Sequence, residues 1–188
     1  KLNLDLSINK FKARLVAIGI LQDETMYDET FAAVAQLTSF RTLISLCTTY
    51  DLEMFQLDVE TAFLHADLKE DIYLRMPTGS RKLDKKGREM VQKLNKSIYG
   101  LKQAPREWNK LFVTTLLEYG FTQSKVDSCV FVYHDSKTFC AIGVYVDDVA
   151  GGCDNLEWLE NFKKMLNTKF SIQDLGKLNH LLGMEVKQ

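Results

Sequence analysis

Residues 138–153 read Thr-Phe-Cys-Ala-Ile-Gly-Val-Tyr-Val-Asp-Asp-Val-Ala-Gly-Gly-Cys, two apolar runs separated by a pair of aspartates. Short apolar runs rich in β-branched and aromatic residues predict strands, which we place at 138–146 and 149–153. Asp147 and Asp148 by themselves indicate only a tight turn, because Asp tolerates turn geometry and hydrogen-bonds its own backbone. The stretch therefore predicts a β-hairpin that carries two carboxylates at its tip.

Neighbouring segments extend this hairpin into a sheet. Residues 129–133 form another β-rich run, which the turn residues 134–137 join to the first strand of the hairpin. Residues 55–60 alternate between apolar and polar side chains, which predicts a strand with Asp58 on its non-core face. Because an isolated buried charge is costly, Asp58 must face solvent or have a partner. The remaining predicted strands are 10–17, 170–172 and 181–186. The first of them carries Lys12 and Arg14 on a basic face.

Three stretches carry apolar residues at three- and four-residue steps, the spacing of amphipathic helices. The predicted helices are 34–50, 105–119 and 156–167. Thr38 and Ser39 are possible caps of the first, and Gly120 ends the second. Residues 76–88 indicate a loop or hairpin connection. This order of elements predicts the α+β class, with helices covering one face of a mainly antiparallel sheet.

Composition limits the class of protein. The chain has 188 residues, 46% hydrophobic and 26% charged, which predicts one compact body or two small lobes and excludes a disordered or collagen-like chain. No run of about 20 uncharged apolar residues is present, so we predict a soluble protein without a membrane partner. Four cysteines without a C-x-x-C pair predict free, mostly buried thiols in a reducing compartment and no zinc site. A chain that begins without Met or a secretory signal is expected to be an internal fragment.

The charges are distributed unevenly along the chain. Residues 81–110 contain ten basic and three acidic residues, a local charge of +7, whereas residues 51–71 contain seven acidic residues and one lysine, a local charge of −6. One interpretation is two solvated faces that neutralise each other. The other is a polyanion-binding surface beside a divalent-cation site.

Asp58, Asp147 and Asp148 together could gather three carboxylates around hard cations. Mg²⁺ favours a few carboxylates plus substrate phosphates, and two such ions about 3.5–4 Å apart can activate an attacking oxygen and stabilise a leaving one. The combination predicts phosphoryl or nucleotidyl transfer.

Three motifs resemble one family. They are Gln-Leu-Asp-Val-Glu-Thr-Ala-Phe-Leu at 56–64, Ser-Ile-Tyr-Gly-Leu-Lys-Gln-Ala-Pro-Arg at 97–106 and Tyr-Val-Asp-Asp at 145–148. In this order and spacing they closely resemble the reverse transcriptases of copia-type LTR retrotransposons. The resemblance extends to 12–17, 29–32 and 182–186, so it spans nearly the whole chain.

The resemblance implies a catalytic site with two Mg²⁺ ions, for which Mn²⁺ could substitute. Its implied metal ligands are the carboxylates of Asp58, Asp147 and Asp148 and the backbone carbonyl of Val59. Phe63 is implied to be a steric gate against the ribose 2′-hydroxyl; its alternative role is a core aromatic.

The same resemblance implies substrate contacts. The implied dNTP-binding residues are Lys12 and Arg14, either of which could hold the triphosphate, and Tyr99 and Gly100 beneath the incoming nucleotide. The implied nucleic-acid contacts are Lys102, Arg106, Tyr145 and the primer-grip residues Leu182 and Gly183, whose alternative is an ordinary turn.

The implied fold is a right-hand polymerase with an antiparallel palm sheet. Fingers are expected at about 1–32 and 68–98 and palm at about 33–67 and 99–188, without thumb, connection or ribonuclease H regions. The chain departs from the family pattern at Ala33, where the family often has Pro, and at Gly151-Gly152, which replace bulkier apolar residues.

Three functions follow as hypotheses. The first is an RNA- or DNA-templated DNA polymerase whose partners are a primed template, dNTPs and the missing regions of a parent polyprotein. The second is an inactive retroelement remnant that folds and at most binds nucleic acid. The third is another two-metal enzyme, such as a nucleotide cyclase, which residues 99–105 argue against. For the first, an intracellular location is expected, in cytoplasmic virus-like particles with a possible nuclear phase.

Overall fold

The computed structural model describes residues 7, 8, 11, 13–23, 25, 27, 30 and 32–187. This part of the chain contains three α-helices and a six-stranded antiparallel sheet, so the predicted α+β class is confirmed. The helices are α1 (Leu37–Thr49), α2 (Ala104–Tyr119) and α3 (Leu156–Lys169), and short 3₁₀ turns lie at Gly19–Leu21 and Ala62–His65. None of the described helices is long and apolar enough to cross a membrane.

The described strands are numbered along the chain. They are β1 (Glu53–Val59), β2 (Tyr73–Arg75), β3 (Val91–Lys93), β4 (Thr122–Gln123), β5 (Val130–His134), β6 (Phe139–Tyr145), β7 (Asp148–Cys153), β8 (Ile172–Lys177), β9 (His180–Leu181) and β10 (Met184–Glu185). The main sheet has the order β4-β5-β6-β7-β1-β8, and β2-β3 and β9-β10 form separate two-stranded sheets.

The β6–β7 hairpin is the centre of the sheet, as residues 138–153 predicted. Tyr145 pairs with Asp148 across its turn, and Asp58 of β1 pairs with Asp148 on the other side of β7. The strands predicted at 55–60, 129–133, 138–146 and 149–153 are confirmed to within two residues at each end. The two acidic motifs therefore lie on adjacent strands.

The helices cover both faces of the sheet, so the prediction that they pack on one face was wrong. Helices α2 and α3 pack against Leu57 and Ile142 in the larger core. Helix α1 packs on the opposite face, where Phe40 lies against Gly143 and Cys47 against Gly152. Because successive residues of a strand point to opposite faces, apolar residues at both phases of β6 and β7 require a cover on each side.

Small residues on the strands make room for α1. A Cβ added to Gly143 would lie 2.6 Å from a ring carbon of Phe40, and one added to Gly152 would lie 2.5 Å from the Cys47 sulfur. The glycine at 152, a departure from the family pattern, therefore has a packing reason.

Capping residues typical of helix ends are found at α2 and α3, whereas the caps predicted for α1 are not observed. Helix α2 has proline in its first turn and ends at Gly120, whose φ is 107°. The Asn155 side chain caps α3 by accepting a hydrogen bond from the Trp158 amide at 3.0 Å. Thr38 and Ser39 lie inside α1 rather than capping it, because the helix begins at Leu37.

Three strand predictions need correction. The strand predicted at 170–172 lies later in the chain, as β8 (Ile172–Lys177), because Phe170 is the residue that ends α3. Residues 13–17 of the predicted strand 10–17 form no strand, and Lys10 and Lys12 lie outside the described residues. Ala17 instead donates a single hydrogen bond to the Tyr99 carbonyl at 2.8 Å. The stretch predicted as one strand at 181–186 contributes to the two short strands β9 and β10, because Leu182 and Gly183 form a turn with positive φ at both residues.

Candidate active site

The turn between β6 and β7 carries Asp147 and Asp148 in a constrained conformation. Val146 has a φ of 58°, which is rare for a β-branched residue. Two hydrogen bonds from outside the hairpin hold the turn. The indole Nε1 of Trp108 donates to the Val146 carbonyl at 2.7 Å, and the Val59 amide donates to the Asp147 carbonyl at 2.9 Å. The backbone that carries the aspartates is therefore fixed to both α2 and β1.

The structure brings Asp58, Asp147 and Asp148 together. Asp148 is half-buried, and its pKa is raised by burial first and then by the charges of Asp147 and Asp58. A side-chain hydrogen bond with Gln56 opposes this rise. Three carboxylates that repel one another favour a cation between them.

The donor set fits a hard divalent cation, because Mg²⁺ prefers carboxylate and carbonyl oxygens. In the described part of the chain, no three His, Cys, Asp or Glu side chains are arranged to hold a metal ion. The aspartates thus share an electrostatic environment without forming a finished metal site.

Tyr99 lies beside this acidic cluster. Burial, followed by the negative charges of Asp147 and then Asp58, raises the pKa of its hydroxyl, while Arg14 opposes the rise. The Arg14 guanidinium carbon lies 5.0 Å from the centre of the Tyr99 ring, a cation–π distance. Phe63, in the 3₁₀ turn after β1, meets the Tyr99 ring edge-on at 4.7 Å between centroids. Phe63 is half-buried and packs against two apolar clusters. Part of its ring therefore contributes to the core, and part is exposed.

Gly100 allows the N-terminal segment to approach this turn. Its φ is 91°, and a Cβ there would overlap the Ala17 carbonyl oxygen. Gly19 is equally constrained, since a Cβ there would overlap the Gly100 carbonyl oxygen. The role of Gly19 was not predicted, because a lone glycine in an irregular segment does not reveal which backbone crosses it.

The other predicted residues lie at separate places. Arg106 has a largely buried side chain, with its Nη1 3.3 Å from Glu107 Oε1, while Lys102 is exposed. Tyr145 pairs with Asp148, and Leu182 and Gly183 occupy the exposed turn between β9 and β10. Lys12 lies outside the described residues.

Two residues near the site were not predicted. Trp108 was recognised only as an apolar residue of α2, although a buried indole N–H generally has an acceptor. Glu107 is buried and lies within 4.0 Å of three basic side chains: Lys69, Arg106 and Lys110. The position of Glu107 beside Trp108 did not predict this cluster, because one of the basic partners, Lys69, lies in a distant segment of the chain.

A family model described as reverse transcriptase (RNA-dependent DNA polymerase) matches residues 1–188. The chain belongs to this family. Pol polyproteins of plant copia-type transposons are among its relatives, which confirms the resemblance to the copia type. No solved structure matches the chain.

Two plant relatives align along almost the whole chain. The Retrovirus-related Pol polyprotein from transposon TNT 1-94 of Nicotiana tabacum is 40% identical over 97% of this chain and 14% of its own length. The corresponding polyprotein from transposon RE1 of Arabidopsis thaliana is 39% identical over 100% of this chain and 13% of its own length. The reverse transcriptase chain therefore spans about one seventh of the length of these relatives.

Proposed function

We propose that this chain is the catalytic core of a retrotransposon DNA polymerase that copies an RNA or DNA template. It would join the α-phosphate of a dNTP to a primer 3′-hydroxyl and release pyrophosphate. The observation that carries the proposal is the convergence of Asp58, Asp147 and Asp148 beside Tyr99 and Arg14.

Each residue has a proposed role. Asp58, Asp147, Asp148 and the Val59 carbonyl would hold two Mg²⁺ or Mn²⁺ ions, which supply charge stabilisation at the phosphates and activation of the attacking oxygen. Arg14 would bind the triphosphate from the N-terminal side, together with or instead of Lys12. Tyr99 and Gly100 would support the nucleotide base, and the Phe63 ring would exclude a 2′-hydroxyl.

We also propose the division into fingers at about 1–32 and 68–98 and palm at about 33–67 and 99–188. The six strands of the main sheet all come from the proposed palm, and β2 and β3 come from the proposed fingers. Within this arrangement Lys102, Arg106, Tyr145, Leu182 and Gly183 would contact the primed template. The other regions of a Pol polyprotein would be partners, and the setting would be an intracellular virus-like particle.

A second candidate is a chain that binds nucleic acid and polymerises nothing. It is favoured by the finding that the described acidic side chains are not already arranged to hold a metal ion. In that case nucleic-acid affinity would depend on salt but not on Asp58.

Primer extension tests the proposal. Wild type and Asp147→Asn are given poly(rA)/oligo(dT), dTTP and either Mg²⁺ or Mn²⁺, with Asp51→Asn as a matched control. Asp51 is an exposed aspartate with a φ of 51°, a conformation that Asn also tolerates. We expect extension by wild type and the control, and a loss of at least 100-fold in Asp147→Asn.

Two results would contradict the proposal. Extension by Asp147→Asn at the wild-type rate would show that the acidic cluster does not take part in catalysis. Duplex binding that depends on salt but not on Asp58, without any extension by wild type, would favour the second candidate.

A further inference from the structure

Residues 80–90, which we call the basic arm, form a small ordered hairpin beyond β2. The Met90 amide donates to the Lys82 carbonyl at 2.9 Å, and the Asp84 amide donates to the Arg88 carbonyl at 2.8 Å. Asp84 fixes the tip, because its Oδ1 accepts from the amides of Lys86 and Arg88 at 2.8 and 2.9 Å. The arm therefore has a defined conformation of its own.

The basic arm does not contribute to the core. Every residue from 80 to 90 is exposed except Asp84, which is half-buried, and Leu83 and Met90 are 66% and 47% exposed. Fixing a backbone costs about 1–2 kcal/mol per residue, and here burial of apolar surface does little to offset that cost. Exposed loops that contribute little to a core often carry the residues that bind a partner.

The charges of the arm are not balanced within it. Both of its acids are paired with arginines: Arg81 Nε lies 3.1 Å from Glu89 Oε1, and Arg88 Nε lies 2.8 Å from Asp84 Oδ2. The remaining cations are Lys82, Lys85 and Lys86, which are exposed and form no ion pair with any residue in the described ranges. Three lysines of the arm, Lys85 and Lys86 at its tip and Lys82 nearer its base, are therefore available to a polyanion.

The root of the arm is anchored to the framework of the candidate site. Strands β2 and β3 pair from Tyr73 with Lys93 to Arg75 with Val91. Ile72, just before β2, belongs to the same buried cluster as Ile98 and Leu101, which flank the Tyr99-Gly100 turn. Because the strands at the root of the arm pack in the same apolar cluster as this turn, the arm is joined to the framework on the nucleotide side of the proposed site.

We infer that the basic arm binds the sugar–phosphate backbone of the nucleic acid through Lys82, Lys85 and Lys86, as a contact separate from the acidic cluster. The choice of nucleic acid as the polyanion rests on the proposed function. Lysine ammonium groups act as point charges, so the contact would be independent of base sequence. It would increase affinity and residence on the template without taking part in the chemistry.

The test compares two triple variants that remove equal charge. K82Q/K85Q/K86Q changes the arm, whereas K125Q/K137Q/K164Q changes three exposed lysines elsewhere that form no ion pair with described residues. Binding of a labelled 20-base-pair RNA/DNA hybrid is measured by fluorescence anisotropy in EDTA between 50 and 200 mM KCl. Circular dichroism checks that all three proteins are folded.

We expect the arm variant to lose at least about tenfold in affinity at 100 mM KCl. The slope of log affinity against log salt should fall by about 2–3, since each phosphate contact contributes about 0.9. The control variant should keep the wild-type slope.

Several outcomes would overturn the inference. One is an arm variant that binds like the control, and another is weaker binding with an unchanged salt slope. Tighter binding of poly-glutamate than of the hybrid by wild type would indicate an acidic protein partner instead. Primer extension by wild type separates the two proposals. Extension by wild type together with unchanged hybrid binding by the arm variant refutes only the inference about the arm. Hybrid binding that depends on the arm, without any extension by wild type, refutes only the polymerase proposal.

Discussion

Asp148 combines a place in the proposed metal site with a cost to folding. The folded chain raises the pKa of this carboxyl, so it binds the proton more tightly than the unfolded chain does. The ionised form therefore destabilises the fold above the raised pKa, and the penalty disappears as the pH falls below the ordinary value. This cost is expected where like charges are held together for metal binding.

We predict that Asp148→Asn raises the free energy of unfolding by about 1 kcal/mol at pH 7.5 in EDTA, while abolishing primer extension. The gain should shrink as the pH is lowered, because the wild-type carboxylate becomes protonated. Urea unfolding at a series of pH values from 7.5 down to about 3.5, below the ordinary pKa of an Asp carboxyl, measures this change, with Asp51→Asn as the control. A gain that does not change with pH would contradict the repulsion argument.

Trp108 positions the acidic turn through one hydrogen bond. Its N–H donates to the carbonyl of Val146, the residue with the unusual positive φ, and its indole is buried in the larger core. Loss of the donor would leave a carbonyl near the core without its partner. The residue is therefore expected to act through the placement of Asp147 and Asp148.

We predict that Trp108→Phe costs about 1–3 kcal/mol of stability and lowers the kcat of primer extension at least tenfold with a smaller change in the KM for dTTP. Trp158→Phe is the matched control, because that indole lies among Tyr133 and Phe162 rather than at the turn. Equal losses of kcat in the two variants would show that Trp108 only fills space.

At the scale of elements, backbone and side-chain hydrogen bonds attach the segment 13–22 to the turn before α2. The Ala17 amide bonds the Tyr99 carbonyl, and Gln22 Oε1 accepts from the Lys102 amide at 3.1 Å. Gly100 permits this approach by lacking a Cβ. The attachment brings Arg14 to Tyr99, so it also builds one side of the candidate site.

We predict that Gly100→Ala detaches this segment and costs about 2–4 kcal/mol, since it adds a backbone clash to an unfavourable φ. Gly79→Ala is the control, because Gly79 has a similar φ of 88° but open space around its Cβ position, and should cost only about 1 kcal/mol. Hydrogen exchange at the Ala17 amide reports the detachment. Retained protection of that amide in Gly100→Ala would refute it.

At the scale of the whole molecule, one sheet carries two cores. The larger core lies under α2 and α3 and contains both tryptophans, whereas the smaller core lies under α1 on the other face. Strands β6 and β7 contribute side chains to each core. The two faces are therefore expected to unfold together.

We predict that Phe40→Ala, in the α1 core, lowers the free energy of unfolding by about 3–5 kcal/mol and shifts the tryptophan fluorescence transition as far as the circular dichroism transition. Phe162→Ala in the other core should do the same. A Phe40→Ala variant whose fluorescence midpoint stays at the wild-type denaturant concentration would show that the faces unfold independently.

The sequence by itself determined the strands around 138–153, the α2 and α3 boundaries, the family and the identity of the three aspartates. These features depend on local periodicity, on turn and cap residues and on ordered motifs, all of which can be seen along the chain. The side chains at both phases of β6 and β7 did not reveal which helix covers which face, so the one-face prediction failed at α1.

Only the tertiary structure decided the rest. The Trp108 bond to Val146, the basic cluster around Glu107 and the crossing of Gly19 over Gly100 join segments that are distant along the chain. The structure also showed that residues 13–18 remain irregular, because a strand needs a hydrogen-bonding partner along its length and this segment has one bond to Tyr99. Contacts of this kind depend on how the elements meet, which local sequence patterns do not encode.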